Sequence, residues 1–277
     1  MLNALTIDVE DYFMVSGFAE IVKYDDWPLF ESRIERNTHR ILDLFDEHGV
    51  QATFFVLGWV AEHYPGLVAE ISRRGHELAS HSYRHRLAYG LSKREFREDT
   101  RASKRILEDI SGKVVLGYRA PSYSVTNESL WVLEVLVEEG FSYDSSIFPI
   151  RHDRYGIPGF KRFPGKIKND SGEILEVPLS TVRLLGNNIP IAGGGYLRLF
   201  PVSFIEWGIR SLNDREAHPA IVYLHPWELD PGQPKINGSR LSVFRHNLNM
   251  RKTYAKLNRL LESFRFGPIR EVFADSI

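Results

Sequence analysis

The chain has 277 residues, of which 43% are hydrophobic, with a formal net charge of −1 and no cysteine. This length and apolar content suit one large α/β core, and the lack of cysteine excludes disulfides and thiol chemistry. A net charge near zero argues against a nucleic-acid-binding protein.

The predicted elements alternate between strands and helices along the chain. Strand candidates are short apolar runs bounded by turn residues, at 5–8, 52–57, 77–80, 115–119, 142–144, 174–178 and 220–225. An apolar stripe at helical spacing from Ile34 to Phe45 predicts a first helix. Ser92 and Glu95 form a capping box for a second helix reaching about residue 109, and residues 130–139 predict a third.

This alternation is the pattern of a parallel α/β barrel. Residues 147–191 interrupt it with prolines at positions 149, 158, 164, 178 and 190, which predicts an elaborated loop region. Farther on, an amphipathic helix is predicted over about 241–264. The first residues lead into the first strand without a basic region or a long apolar stretch, which predicts a cytoplasmic protein with no stable membrane insertion.

Candidate metal ligands follow two of the predicted strands. His81 and His85 are four residues apart, a spacing that would place both on one face of a helical turn, close enough to share a cation. Ser82 stands where a zincin carries its glutamate base, so the base must come from elsewhere. The acidic cluster at residues 8–11 can supply both a base and a carboxylate ligand, leaving room on the metal for water and substrate.

Five motifs in chain order resemble the polysaccharide deacetylase family, the metal-dependent carbohydrate esterases of family 4 type. That family includes chitooligosaccharide and peptidoglycan N-deacetylases. The motifs are residues 5–8 (LTID), 81–85 (HSYRH), 119–123 (RAPSY), 143–146 (YDSS) and 224–226 (LHP). Residues 8–13 (DVEDYF) and 193–198 (GGGYLR) resemble the branch associated with bacterial exopolysaccharide and exosortase loci.

The resemblance implies a distorted (β/α) barrel of about seven parallel strands in a single catalytic domain over 1–277, with a C-terminal helical extension at about 230–277. It also implies one divalent metal ion, zinc first, with manganese, cobalt or nickel as alternatives. The implied activity removes N-acetyl groups from amino sugars of a bacterial polysaccharide or its precursor, so the expected partner is an N-acetylated glycan. The alternatives are a hydrolase of small cyclic amides, resembling allantoinases, and a non-catalytic carbohydrate-binding protein.

One position departs from the family pattern of two adjacent aspartates, a base followed by a metal ligand. Here Val9 follows Asp8, so the carboxylate ligand is either Glu10 or Asp11, and we expect Asp11 slightly ahead of Glu10. By resemblance Asp8 is the base, and Arg119 orients its carboxylate through paired hydrogen bonds.

Other roles are also implied by the resemblance. His225 is the expected general acid, with Asp144 as the carboxylate that favours its imidazolium form. The Tyr123 backbone N–H is the expected oxyanion donor, and Pro121 stiffens its loop.

The remaining candidates concern the substrate pocket. Leu224, Trp227 and Tyr123 either wall the pocket or belong to the core. Residues 193–195 (GGG) predict a tight backbone passage near the sugar, and Arg198 is either a substrate contact or part of a structural salt bridge.

Overall fold

A mostly parallel nine-stranded β-sheet forms the centre of the protein, described over residues 1–277 by a computed structural model. The strands of the protein are β1 Leu2–Val9, β2 Thr53–Val56, β3 Glu77–Ser80, β4 Gly117–Tyr118, β5 Tyr143–Asp144, β6 Gly165–Asn169, β7 Gly172–Glu176, β8 Thr181–Leu184, β9 Asn187–Pro190, β10 Ile221–Leu224 and β11 Arg265–Gly267. The sheet order is β10-β1-β2-β3-β4-β5-β7-β6, with β11 also pairing with β1. Strand β6 runs antiparallel to β7, and β8 with β9 forms a separate hairpin.

Helices cover the outside of this sheet. They are α1 Ile34–His48, α2 Gly58–His63, α3 Pro65–Arg73, α4 Lys93–Ser111, α5 Val132–Glu138, α6 Gly195–Leu199, α7 Val202–Arg210, α8 Arg240–Asn247, α9 Met250–Ser263 and α10 Ile269–Val272. The predicted capping box at α4 is confirmed, because Ser92 and Glu95 each accept a hydrogen bond from the other's backbone N–H. None of these helices combines the length and apolar composition needed to cross a lipid bilayer.

The predicted parallel barrel pattern is confirmed, with β10, β1, β2, β3, β4, β5 and β7 forming the parallel path. Two predictions were wrong in detail. The stretch 147–191 contains strands β6 to β9 instead of loop alone. The single helix over 241–264 is two helices, because the chain turns at Asn249, whose φ of 53° is left-handed and ends the helical path. The region expected as a helical extension also contributes β11 to the central sheet.

Period-two alternation along β1 determines which side chains reach the barrel interior. Leu5, Ile7 and Val9 pack in the large core cluster. Thr6 and Asp8 point to the other face, where both contact a buried arginine. The inward side chains at the carboxyl ends of the strands therefore meet in one place.

The barrel is irregular between β7 and β10. There the backbone at Gly193 forms an isolated parallel bridge with Tyr223 of β10. Gly193 has a φ of 128°, and a Cβ at this position would lie 1.9 Å from the Tyr223 carbonyl oxygen. Only glycine fits here. The predicted tight passage is thus explained by close approach to β10, and residues 193–195 do not line the cavity that Asp8, His81 and His225 share.

Candidate metal and catalytic centre

Glu10, His81 and His85 form a buried cluster at the carboxyl ends of β1 and β3. Their ligand atoms all lie within 4.8 Å of one another. Glu10 Oε2 is 2.6 Å from His85 Nε2. His81 Nδ1 donates to the Arg119 carbonyl at 2.9 Å, which leaves Nε2 of His81 as the free ring nitrogen.

The donor set fits a divalent cation. Glu10 Oε2 is a buried oxygen that contacts His85 Nε2 at 2.6 Å and has no well-aligned hydrogen bond to any group. Burial lowers the pKa of His81 to about 4, so its ring is neutral at pH 7, the form that ligates a metal. Burial alone would raise the pKa of Glu10, but the neighbouring histidines, His85 first, hold that pKa well below its usual range. Two imidazoles with one carboxylate are typical of a zinc site that retains open positions.

Asp11, the carboxylate expected ahead of Glu10, lies outside this cluster. Its Oδ1 accepts from the Tyr12 N–H at 2.9 Å, and its Oδ2 accepts from Ser32 Oγ at 2.9 Å and from the Arg33 N–H at 2.7 Å. Asp11 therefore ties the end of β1 to the segment before α1. The preference for Asp11 was wrong because alternation along the chain puts Asp8 and Glu10 on the same face and Asp11 on the other.

The two histidines do not share a helical turn. Residues 81–85 form an irregular loop in which Ser82 has a φ of 66° and His85 a φ of 54°. Both values are left-handed, and the Ser82 hydroxyl accepts from the His85 N–H at 3.1 Å. The rings still approach with centroids 5.5 Å apart, so a folded loop achieves the proximity that a helix was expected to provide.

Arg119 contacts Asp8, as the resemblance implied, but through one hydrogen bond instead of the expected pair. Arg119 is fully buried, and its Nη1 donates to Asp8 Oδ1 at 2.6 Å and to Thr6 Oγ1 at 2.7 Å. Its other nitrogens donate to the Ser145 carbonyl and hydroxyl at 3.1 and 2.9 Å. With the guanidinium fixed on several sides, the Asp8 carboxylate has one defined orientation. Asp8 Oδ2 receives the Tyr123 hydroxyl at 3.3 Å.

The carboxylate partner of His225 is Glu228. His225 Nδ1 donates to Glu228 Oε1 at 2.6 Å, and the same oxygen accepts the His225 backbone N–H at 3.0 Å. On the other side of the ring, Nε2 is 3.4 Å from Glu10 Oε1 and 3.9 Å from Asp8 Oδ2. Burial alone would lower the pKa of His225, but these carboxylates outweigh it and raise the pKa to about 9.

Arg198 in turn secures Glu228. Its Nε donates to Glu228 Oε2 at 2.6 Å, and its Nη1 donates to the His246 carbonyl at 2.6 Å and to the Arg245 carbonyl at 3.0 Å. Only 5% of the Arg198 side chain is exposed. Of the two interpretations of Arg198, the structure supports the structural salt bridge.

Asp144 lies in the barrel interior beside Glu176, its neighbour across β5 and β7, and does not contact His225. Asp144 Oδ1 accepts from Ser146 Oγ at 2.5 Å, and Glu176 Oε1 accepts from the Ile147 N–H at 3.0 Å. Burial raises the pKa of both carboxyl groups, and the adjacent Asp144 carboxylate raises the pKa of Glu176 further. The predicted Asp144 partnership was therefore wrong.

Residues 119–123 lie beside the site, as the resemblance implied. The structure does not support the Tyr123 backbone N–H as the oxyanion donor. Pro121 begins a 3-10 turn, Pro121–Tyr123, in which the Tyr123 N–H donates to the Ala120 carbonyl at 3.1 Å. This N–H is engaged within the turn. Tyr123 lines the same cavity as Asp8 and His225, whereas Pro121 does not. Leu224 of β10 is fully buried in the large core cluster and does not line this cavity.

Trp227 connects the metal cluster to the catalytic histidine candidate. Its indole stacks between the rings of His225 and His246, with centroids 5.2 and 4.2 Å away. Its Nε1 donates to Glu10 Oε1 at 3.3 Å. The cavity in front of these groups has a volume of about 240 Å³ and is also lined by Tyr223.

The sequence analysis missed Glu228, His246 and Tyr223. For Glu228 a local signal existed, because an acidic residue three positions after His225 is the spacing of a capping box. Tyr223 precedes His225 by two residues, so strand alternation turns both side chains inward. No local signal indicates His246.

Two family profiles match the chain. The profile described as "Polysaccharide deacetylase" matches residues 21–137, and "Domain of unknown function (DUF3473)" matches residues 145–274.

Among individual proteins, the chain is similar to a peptidoglycan-N-acetylglucosamine deacetylase of Bacillus cereus, with 32% identity over 112 residues, 40% of this chain and 39% of the relative. It is 46% identical over 48 residues to a chitooligosaccharide deacetylase of Rhizobium leguminosarum bv. trifolii, covering 17% of this chain and 22% of the relative. The first curated relatives are matched over only 39% and 36% of their length. A Mycobacterium smegmatis crystal structure named for the polysaccharide deacetylases has a TM-score of 0.60 at 22% identity, over 99% of this chain and 88% of that chain, which shows a shared fold.

Proposed function

We propose that this chain, which matches the polysaccharide deacetylase profile over residues 21–137, is a metal-dependent N-deacetylase of N-acetylated amino sugars in a polysaccharide or its precursor. One observation carries the proposal. The Glu10, His81 and His85 cluster shares a single cavity with Asp8 and His225, which are placed to act as base and acid.

The first half of the reaction needs a water made nucleophilic beside the acetyl carbonyl. Glu10, His81 and His85 would hold a divalent cation, zinc first and manganese, cobalt or nickel as alternatives, which would lower the pKa of water and polarise the acetyl carbonyl. Asp8 accepts the proton from the attacking water, because it lines the cavity and its Oδ2 lies 3.9 Å from His225 Nε2, while Oδ1 is held by Arg119 at 2.6 Å.

The second half needs a proton for the departing amine. His225 supplies it from Nε2, the ring nitrogen that faces Asp8 and Glu10. Glu228 holds Nδ1 at 2.6 Å, which fixes the ring orientation and stabilises the imidazolium. Arg198 positions Glu228 from behind and does not touch the glycan in this proposal. The products are acetate and the free amine.

Acetate release tests this function. The metal-loaded protein is incubated with a panel of N-acetylated oligosaccharides and with cyclic ureides, and acetate and ureide hydrolysis are both quantified. We expect acetate from glycans only, with loss of activity after chelation and recovery when zinc is restored. Ureide hydrolysis without acetate release would identify a cyclic-amide hydrolase, and glycan binding without any hydrolysis would identify a binding protein.

Four parts of the sequence analysis stay predictions. They are the exopolysaccharide as natural substrate, zinc as native metal, the cytoplasmic location, and the division into one catalytic domain with a C-terminal extension.

A further inference from the structure

Two arginines from distant parts of the chain line the same cavity. Arg154 belongs to the segment after β5, and Arg245 lies on α8. Both residues are exposed at the surface, unlike the buried groups deeper in the cavity. They therefore lie at the mouth of the site, where the part of a glycan next to the reacting sugar would pass.

The charges deep in the cavity are already matched. Asp8 is paired with Arg119 at 2.6 Å, and Arg198 is paired with Glu228 at 2.6 Å. Glu10 belongs to the metal cluster, whose cation would neutralise it. His225 Nδ1 is likewise 2.6 Å from Glu228 Oε1. Each of these groups therefore already has a partner of opposite charge within the site.

The charges at the mouth are not matched. Arg154 forms no salt bridge. Arg245 has one acidic neighbour, Asp153, at 3.7 Å, and the two side chains are 44% and 59% exposed. A solvent-exposed pair at this distance contributes little. The uncompensated charge at the opening is positive.

We propose that Arg154 and Arg245 form a subsite for an anionic group of the glycan, a carboxylate or a phosphate, next to the N-acetylated sugar. This inference rests on the proposed function and narrows its substrate class to acidic N-acetylated glycans. Guanidinium groups bind both anions through paired hydrogen bonds. Two cations facing one opening also repel each other, and a bound anion removes that cost.

Binding to three oligosaccharides of equal length tests the subsite. One is neutral and N-acetylated, one carries a carboxylate, and one carries a phosphate. Calorimetric titrations use the metal-loaded Asp8→Asn protein, so that glycan is not consumed. We expect tighter binding of a charged glycan, and we expect Arg154→Gln and Arg245→Gln each to lower the charged-to-neutral affinity ratio by about threefold to tenfold. Added salt should lower the same ratio. The charged glycan whose affinity ratio falls more in these variants identifies whether the subsite binds a carboxylate or a phosphate.

Arg183→Gln is the matched control, because Arg183 is an exposed arginine on β8 that forms no salt bridge and lies outside the cavity. It should leave the affinity ratio at its original value. The subsite is wrong if the neutral and charged glycans bind equally, or if neither cavity variant changes the ratio. Failure of the deacetylase proposal gives another result. The unmutated protein would then release no acetate, although the charged-to-neutral affinity ratio would still depend on the two arginines.

Discussion

Glu10 and Asp11 follow β1, and replacing each in turn by its amide should show that one residue binds the metal and the other stabilises the fold. Glu10→Gln should lose the metal and keep the fold. Asp11→Asn should keep the metal and lose stability. The reason is geometric, since Glu10 Oε2 lies 2.6 Å from His85 Nε2, whereas both oxygens of Asp11 accept hydrogen bonds from the polypeptide.

The loss in Glu10→Gln follows from its place in the cluster. Replacement of a residue that merely orients a metal ligand costs roughly 10- to 100-fold in affinity. An amide in place of the ligating carboxylate removes both the charge and the better donor, so the loss should exceed that range. The side chain is 3% exposed, and Glu10 is the one carboxylate in the set that it forms with His81 and His85.

The loss in Asp11→Asn follows from its three hydrogen bonds, at 2.7, 2.9 and 2.9 Å. An asparagine retains one accepting oxygen, so at least one bond to a charged acceptor is lost, at about 1.5–3 kcal/mol. For a chain of this size each kcal/mol lowers the melting temperature by roughly 2–4 °C. The melting temperature of the metal-free protein should therefore fall by several degrees.

Metal content after gel filtration and thermal unfolding of the metal-free protein measure the two effects. Glu20→Gln, at an exposed glutamate, is the control and should change neither. Stoichiometric metal in Glu10→Gln together with metal loss in Asp11→Asn would refute the reasoning.

Three further predictions concern catalysis and pH. Asp8→Asn and His225→Ala should each lower turnover by about a hundredfold or more with metal content unchanged, and near-normal steady-state rates in a metal-loaded variant would contradict the assigned roles. Glu228→Gln should lower kcat by about tenfold or more with little change in KM, because it positions the acid without touching glycan; a change confined to KM would argue otherwise. Burial raises the folded-state pKa of Asp144 and Glu176, so the folded protein binds more protons than the unfolded chain, and stability should fall as pH rises through those pKa values. In Glu176→Gln, the free energy of unfolding measured with urea should depend less steeply on pH. If its slope against pH were unchanged, the carboxyl pair would not be the cause of the pH dependence.

Much of the site could be predicted because strand ends are local features. Asp8, Arg119 and His225 each follow an apolar run, and parallel strands bring their carboxyl ends to one edge. Strand alternation also predicts that Glu10 lies on the same face as Asp8.

Loop conformation after a strand was not predictable in the same way. The spacing of His81 and His85 indicates a helix, but left-handed backbone at Ser82 and His85 produces the same proximity in an irregular loop. Neither residue is glycine, and the Ser82 hydroxyl, which accepts from the His85 N–H, is one of the contacts that hold this conformation.

The sequence by itself determined the parallel α/β architecture, the strand-end positions of the candidate base, acid and histidine ligands, and the resemblance to the family. Only the tertiary structure decided how these groups are partnered. The Arg198 contact with Glu228 joins residues 30 positions apart, and the Trp227 contact with Glu10 joins residues 217 apart. Residue spacing and strand alternation specify the face on which a side chain lies, because they are properties of one segment. Which side chain it meets there depends on how the segments after different strands fold over the barrel, and that is set by packing of the whole chain.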